Sequence, residues 1–239
     1  MDNNELIDEL IEKIVMNFED NYVTKNIIKK LTDIYDQKDI LKIDNNTITR
    51  KSKRMTRTVT VDTINKVLKA QDTGYLDDNE QFQNSIDYQV NGDSAVVHKH
   101  VFDVGLFGNT ETRSILDTYE YFKDNNMIGS SDKKIFVKLW KNSDGQVIDE
   151  DIDDFTRIHY KLANGDVVKI VSNNGDEKYY YCDRRALNNR NKLSNEQESY
   201  GINKEISKEQ ADDFLKMADD AYKLVNDDMI YSVRGATYK

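Results

Sequence analysis

The stretch IDYQVNGDSAVVHKHVF, residues 86–102, decides the fold class. Ile86, Tyr88 and Val90 alternate with polar residues, a period of two that suits a strand with one buried face. Asn91-Gly92-Asp93-Ser94 is turn chemistry, because Gly and Asn accept the positive φ that tight hairpin loops require. AVVHKHVF (95–102) then returns as a second strand. Further along, IFVKLW (135–140), the turn NSDG and QVI (146–148) predict another hairpin. FTRIHYKL (155–162), ANGD, VVKIVS (167–172), NNGD and KYYYC (178–182) predict a three-stranded meander. Between the hairpins, Ile115, Leu116, Tyr119 and Phe122 share one helical face, which predicts a short helix over 111–123 beside the sheet. The expectation is an α+β fold with up to seven strands in one antiparallel sheet, the acidic domain spanning 85–183.

Upstream the period is 3.6. Ile7, Leu10, Ile11, Ile14 and Phe18 predict a helix over 4–18, with Asn3 or Asn4 as cap and an acidic first turn that suits the helix dipole. Ile27, Ile28, Leu31, Ile34 and Tyr35 predict a second helix over 22–36. Val61, Ile64, Val67 and Leu68 predict a third over 61–70, capped by Thr60. Residues 1–75 are thus expected to form a small helical unit. Its polar, Thr-rich connector KIDNNTITRKSKRMTRTVT (42–60) reads as a loop or a short basic hairpin. Downstream, residues 183–206 show neither period and read as a loop or linker, entered in the domain plan as 184–206. A final helix follows within 207–239, with Ser207 and Gln210 in capping-box spacing. Its expected buried stripe is Ala211, Phe214, Leu215, Ala218, Tyr222 and Val225, and MIYSVRGATYK (229–239) is a candidate edge strand.

Composition narrows the class. The 239 residues include no Pro, where about 5% is usual, which excludes collagen-like and Pro-rich linker chains. The absence of Pro together with 24 Asn matches the codon drift of an AT-rich genome. The lone Cys182 excludes an internal disulfide and any CxxC site. No apolar run reaches the roughly 18 residues of a membrane span, and the acidic N-terminus is unlike a signal peptide. A soluble, cytoplasmic protein is expected.

The net charge of −10 conceals strong segregation. Residues 1–24 carry −6, residues 25–70 carry +7, residues 71–160 carry −10, and the remainder is nearly balanced. In the basic block, Arg50, Lys51, Lys53, Arg54 and Arg57 precede Lys66 and Lys69, while Lys25, Lys29 and Lys30 lie on the preceding helix. Cations concentrated on one small unit gain affinity for nucleic acid by releasing its condensed counterions. Thr47, Thr49, Ser52, Thr56 and Thr58 supply neutral hydrogen bonds to phosphate oxygens. In the acidic block, Asp149, Glu150, Asp151, Asp153 and Asp154 lack the ligand order of an EF-hand and read as a solvated loop or a surface for a basic partner. Carboxylates spread over one face can also imitate the phosphate rows of a duplex.

Other chemistry is thinly represented. His98 and His100 point to one face of a strand, so with His159 they are candidate metal ligands of a hydrolase. Against this, HxH is a common accident and local hydrogen bonding explains it as well. Cys182 as a nucleophile has no oxyanion-hole signature beside it, and packing is the better reading. There is no Walker loop, GxGxxG, HExxH or GxSxG. No cofactor is expected.

The size of the chain and the order of its charge blocks resemble phage early host-takeover proteins, some of which, in Bacillus phages, pair a DNA-binding segment with an acidic DNA-mimic domain and inhibit host RNA polymerase. That resemblance implies a non-enzymatic, nucleic-acid-associated regulator or inhibitor. Its basic segment would rest on phosphates and its acidic domain would engage a DNA-handling partner such as a polymerase. The alternatives are a structural or assembly protein, such as a virion component, and the His-ligated hydrolase.

Overall fold

The computed structural model describes residues 3–34, 40–44, 46–75, 80–162, 165–172, 174–183 and 203–216. Two helices open the chain, α1 (Asn3–Asn17) and α2 (Tyr22–Thr32). Twelve strands follow among the described residues: β1 (Ile40–Asp44), β2 (Thr47–Lys51), β3 (Met55–Asp62), β4 (Val67–Tyr75), β5 (Glu80–Asn91), β6 (Ser94–Phe107), β7 (Thr110–Lys123), β8 (Asn126–Lys141), β9 (Val147–Lys161), β10 (Gly165–Ser172), β11 (Glu177–Asp183) and β12 (Asn203–Ile206). A third helix, α3 (Lys208–Lys216), closes the described chain. The strands form one antiparallel sheet whose spatial order is the sequence order, β1 to β12. The α+β expectation holds in this form, with more strands than the seven foreseen.

Contacts divide the chain into two compact units. One comprises Met1–Asp117 and Ile135–Ile152, the other Thr118–Lys134 and Asp153–Lys239. In the first unit, Ile7, Leu10 and Ile14 of α1 and Val23, Ile27 and Leu31 of α2 are buried, as are Val59, Val61, Leu68 and Ala70 of β3 and β4. Each such aliphatic side chain removed from water contributes about 1.5–3 kcal/mol, which is what holds the helices to the sheet. Asn21 fixes the start of α2: its Oδ1 accepts from Val23 N (2.8 Å) and Thr24 N (3.0 Å), and Asn21 N donates back to Thr24 Oγ1 (3.0 Å). The Asn21 amide also donates to Tyr88 Oη at 3.0 Å, tying the cap to β5. In the second unit Ile158, Tyr160, Val167 and Val168 are buried with Ala211 and Leu215 of α3. Tyr181 stacks on Phe214 with ring centroids 4.6 Å apart.

The hairpin of residues 86–102 forms as expected, with Asn91 paired to Ser94 and Gly92 at φ 63°. The β8–β9 hairpin and the β9–β10–β11 meander also form. At α3, Ser207 N donates to Gln210 Oε1 (3.0 Å) and Gln210 N to Ser207 Oγ (3.2 Å), the expected capping box.

Three expectations are corrected. The helix over 61–70 is instead the end of β3, a turn and the start of β4. Val59 and Val61 alternate with Thr58 and Thr60, so the β-branched period of two outweighs the helical spacing. Asp62 Oδ1 accepts from Ile64 N (3.0 Å) and Asn65 N (2.9 Å), closing the turn, and Ile64 is 87% exposed instead of buried. The N-terminal region is therefore two helices on a sheet, and the connector 42–60 resolves toward its hairpin reading. The helix over 111–123 is strand β7. Tyr121, off the proposed helical stripe, is its fully buried residue. Residues 203–206 of the expected linker form β12, paired with β11. Residues 184–202, the stripe positions Ala218, Tyr222 and Val225, Tyr35, and the candidate edge strand 229–239 lie outside the described residues.

Candidate nucleic-acid interface

Side chains alternate faces along a strand and directly paired residues share a face, so the registers sort the basic block in two. Arg50 pairs with Arg57, Arg57 with Asp72 and Asp72 with Asn84. This row belongs to the face that carries Val59 and Ala70, against which the helices pack. There Arg57 Nε donates to Asp72 Oδ1 at 2.7 Å and its Nη2 to Oδ2 at 3.1 Å, while Lys30 Nζ reaches Oδ2 at 2.5 Å. Burial raises the cost of charging Asp72, but the hydrogen bonds from Arg57 and Lys30 outweigh it and hold the carboxyl below its ordinary pKa. Burial likewise works against the Arg57 charge, and Asp72, aided by Asp33 at 3.4 Å, overcomes it, raising the guanidinium pKa. Arg57, expected at the phosphates, is an internal clamp between β3, β4 and α2.

Lys66 and Lys69 are also engaged. Lys66, at φ 54°, donates to Asn17 O at 3.1 Å and lies over the Phe18 ring. Lys69 pairs with Asp87 at 3.5 Å, and Lys25 with Asp20 at 3.1 Å.

The opposite face is different in kind. Lys51 pairs with Thr56, Thr56 with Thr73, Thr73 with Gln83 and Gln83 with Phe102, a row crossing β2 to β6. In the next row Tyr75 pairs with Gln81. The β2–β3 connection bends over these rows and is braced by Ser52, whose N and Oγ donate to Met55 O at 2.8 and 3.0 Å. Gly74 lets it approach: a Cβ there would lie 2.1 Å from Arg54 O, which accepts from Tyr75 N at 3.0 Å. The result is a cleft of about 370 Å³ lined by Lys51, Lys53 and Arg54 together with Thr56, Thr73, Tyr75, Gln81, Phe82, Gln83 and Phe102. Lys51, Lys53 and Arg54 are exposed, and neither lysine forms an ion pair among the described residues. Among the described residues no carboxylate is in the lining.

Compared with protein-family models, curated proteins and solved structures, the chain matches none. What its sites can do rests on their own chemistry.

The histidines take up local roles. His98 Nε2 and His100 Nδ1 both lie against Asp117 Oδ1, at 2.8 and 2.9 Å. Burial would raise the Asp117 pKa, and the two imidazole hydrogen bonds bring it below the ordinary value. His159 belongs to the other unit, opposite Val168, where burial pushes its pKa down. Among the described residues no three His, Cys, Asp or Glu side chains are arranged to hold a metal ion. Cys182 is buried at the end of β11, a packing position.

The acidic run lies on a strand, not in a loop. Val147–Asp153 of β9 are all exposed. The register with β10 ends at Phe155↔Ser172, so Asp149, Glu150, Asp151, Asp153 and Asp154 run past the end of that neighbour. Sequence reasoning found the cations but missed Tyr75, Gln81, Gln83 and Phe102. Their alternation within β4, β5 and β6 was the available signal, and it needed the strand pairing to bring them onto the face that Lys51 shares.

Proposed function

We propose that this is a non-enzymatic, nucleic-acid-associated regulatory or inhibitory protein that contacts the phosphate backbone through Lys51, Lys53 and Arg54 at the β2–β3 connection. The observation that supports it is the exposed cationic turn over a cleft that no carboxylate lines among the described residues. In a chain of net charge −10, such a local reversal of sign attracts an anion against the field of the whole molecule. The contact is narrower than the basic block suggested, because Arg57, Lys66 and Lys69 have internal partners. The exposed acidic segment of β9 is the surface offered to a basic protein, such as a DNA-handling polymerase, with edge pairing adding main-chain hydrogen bonds to charge attraction. Assembly with neighbouring subunits is the second reading, favoured by that same open segment of β9.

Equilibrium binding to a labelled duplex across a salt series tests the phosphate contact. About three contacts predict a log–log slope of about −3, and Lys51→Glu with Lys53→Glu flattens it toward −1. No binding at low salt, or a slope unaffected by the double substitution, removes the reading.

A further inference from the structure

Resting on that reading, we infer that the cleft takes an unpaired nucleotide, so that the preferred ligand is single-stranded nucleic acid and not duplex. Lysines on a convex turn serve any phosphate row equally. The interior behind them does not. Phe102 and Tyr75 offer ring surface, Gln81 and Gln83 offer amides, and Thr73 offers a hydroxyl, with no charge among the five. Ring faces do nothing for a phosphate, whereas every base has a π-face that stacks on an aromatic side chain. Side-chain amides carry one acceptor and two donors each and match the edge of a base released from its pair. Tyr75 is 54% exposed, so its ring is open to a base from solvent. The register brings these groups together: Tyr75 faces Gln81 directly, and Thr73, Gln83 and Phe102 form the adjacent row on the same face. Lys51 ends that row, and Lys53 follows at the rim. Tyr75 N donates to Arg54 O at 3.0 Å, so a base seated on the Tyr75 ring leaves its phosphate beside the connection that carries Lys53 and Arg54. The size agrees with a single nucleotide and not with a helix, since about 370 Å³ lies at the small end of ligand pockets.

Fluorescence anisotropy separates this inference from the reading beneath it. Three labelled probes share one length: oligo(dT), the matching duplex, and an abasic strand with the same phosphates. Oligo(dT) is expected to bind about tenfold more tightly than either of the others. Tyr75→Ala and Phe102→Leu are expected to bring oligo(dT) down to the abasic level with its salt slope unchanged, while Lys51→Glu with Lys53→Glu weakens all three probes. Tyr75 is exposed and Leu keeps most of the volume of Phe102, so circular dichroism should report both variants folded. Equal binding of oligo(dT) and the abasic strand, or full affinity in both ring variants, overturns the base pocket and leaves the phosphate contact standing. Failure of every probe to bind overturns both.

Discussion

Arg57 and Lys51 belong to one basic run, yet one is locked inside the fold and the other faces water. The difference is a single carboxylate. Asp72 lies directly across from Arg57 on β4, and it also holds Lys30 of α2, so one acid engages two bases. A charge count along the chain cannot see this, because the pairing partner is fixed by strand register and not by sequence distance. Asp72→Asn should therefore cost more than an ordinary surface change. It takes the two-pronged partner from Arg57, whose side chain is 12% exposed, and leaves only the half-exposed Asp33 at 3.4 Å, a loss of about 2–3 kcal/mol. Urea unfolding at neutral pH reads the loss. The pH dependence has a definite sign: because the folded Asp72 pKa lies below its ordinary value of 3.8, its contribution is complete above that value. It then disappears as the pH falls through the depressed folded value, so the gap between parent and variant should close in acid. A gap that is absent at pH 7, or constant down to pH 2, would show that the clamp contributes nothing.

Among elements, those that were legible carried two agreeing signals. Helix α1 had an apolar stripe and an acidic first turn, and the β5–β6 hairpin had alternation and a Gly-containing turn. Residues 61–70 and 111–123 misled because four apolar residues fall at helical spacing even where a turn divides two strands or a strand is apolar on both faces, and turn chemistry had to arbitrate. For β7 the arbiter was Asp124-Asn125, whose φ values of 47° and 61° make the two-residue loop into β8. Both central residues at positive φ describe a type I′ hairpin turn, a conformation that Asn and Asp tolerate and β-branched residues do not. Asn125→Val is expected to destabilise by about 1–2 kcal/mol, and Asn125→Gly to be neutral or stabilising. Thermal melts of the two variants make the comparison. A neutral Val variant would mean the turn does not set the β7–β8 register. The binding cleft was legible only in half, through Lys51, Lys53 and Arg54. Its rings and amides come from β4, β5 and β6, and nothing in the linear order places Phe102 in one row with Lys51.

On the scale of the whole chain, the order β1 to β12 repeats the sequence order, so each strand needs only the one before it as a template. Local hairpins thus suffice to build a large sheet, which is why its class could be read from residues 86–102. Such a sheet has a cost in exposed edges, and proteins blunt edges with charge. The acidic segment of β9 fits that need as well as it fits a partner. Beyond the last pair with β10 its apolar members are open, with Val147 at 50%, Ile148 at 66% and Ile152 at 47% exposure. Asp149, Glu150 and Asp151 stand between them. Replacing these three by Asn, Gln and Asn keeps the shapes and removes the repulsion, leaving a β-prone apolar edge in a chain of charge about −7. Concentration-dependent self-association should follow in sedimentation velocity, while the parent stays in one species under the same conditions. If the acids serve a basic partner alone, the triple variant will remain as dispersed as the parent. The edge-protection account then fails, and the carboxylates are to be explained by recognition.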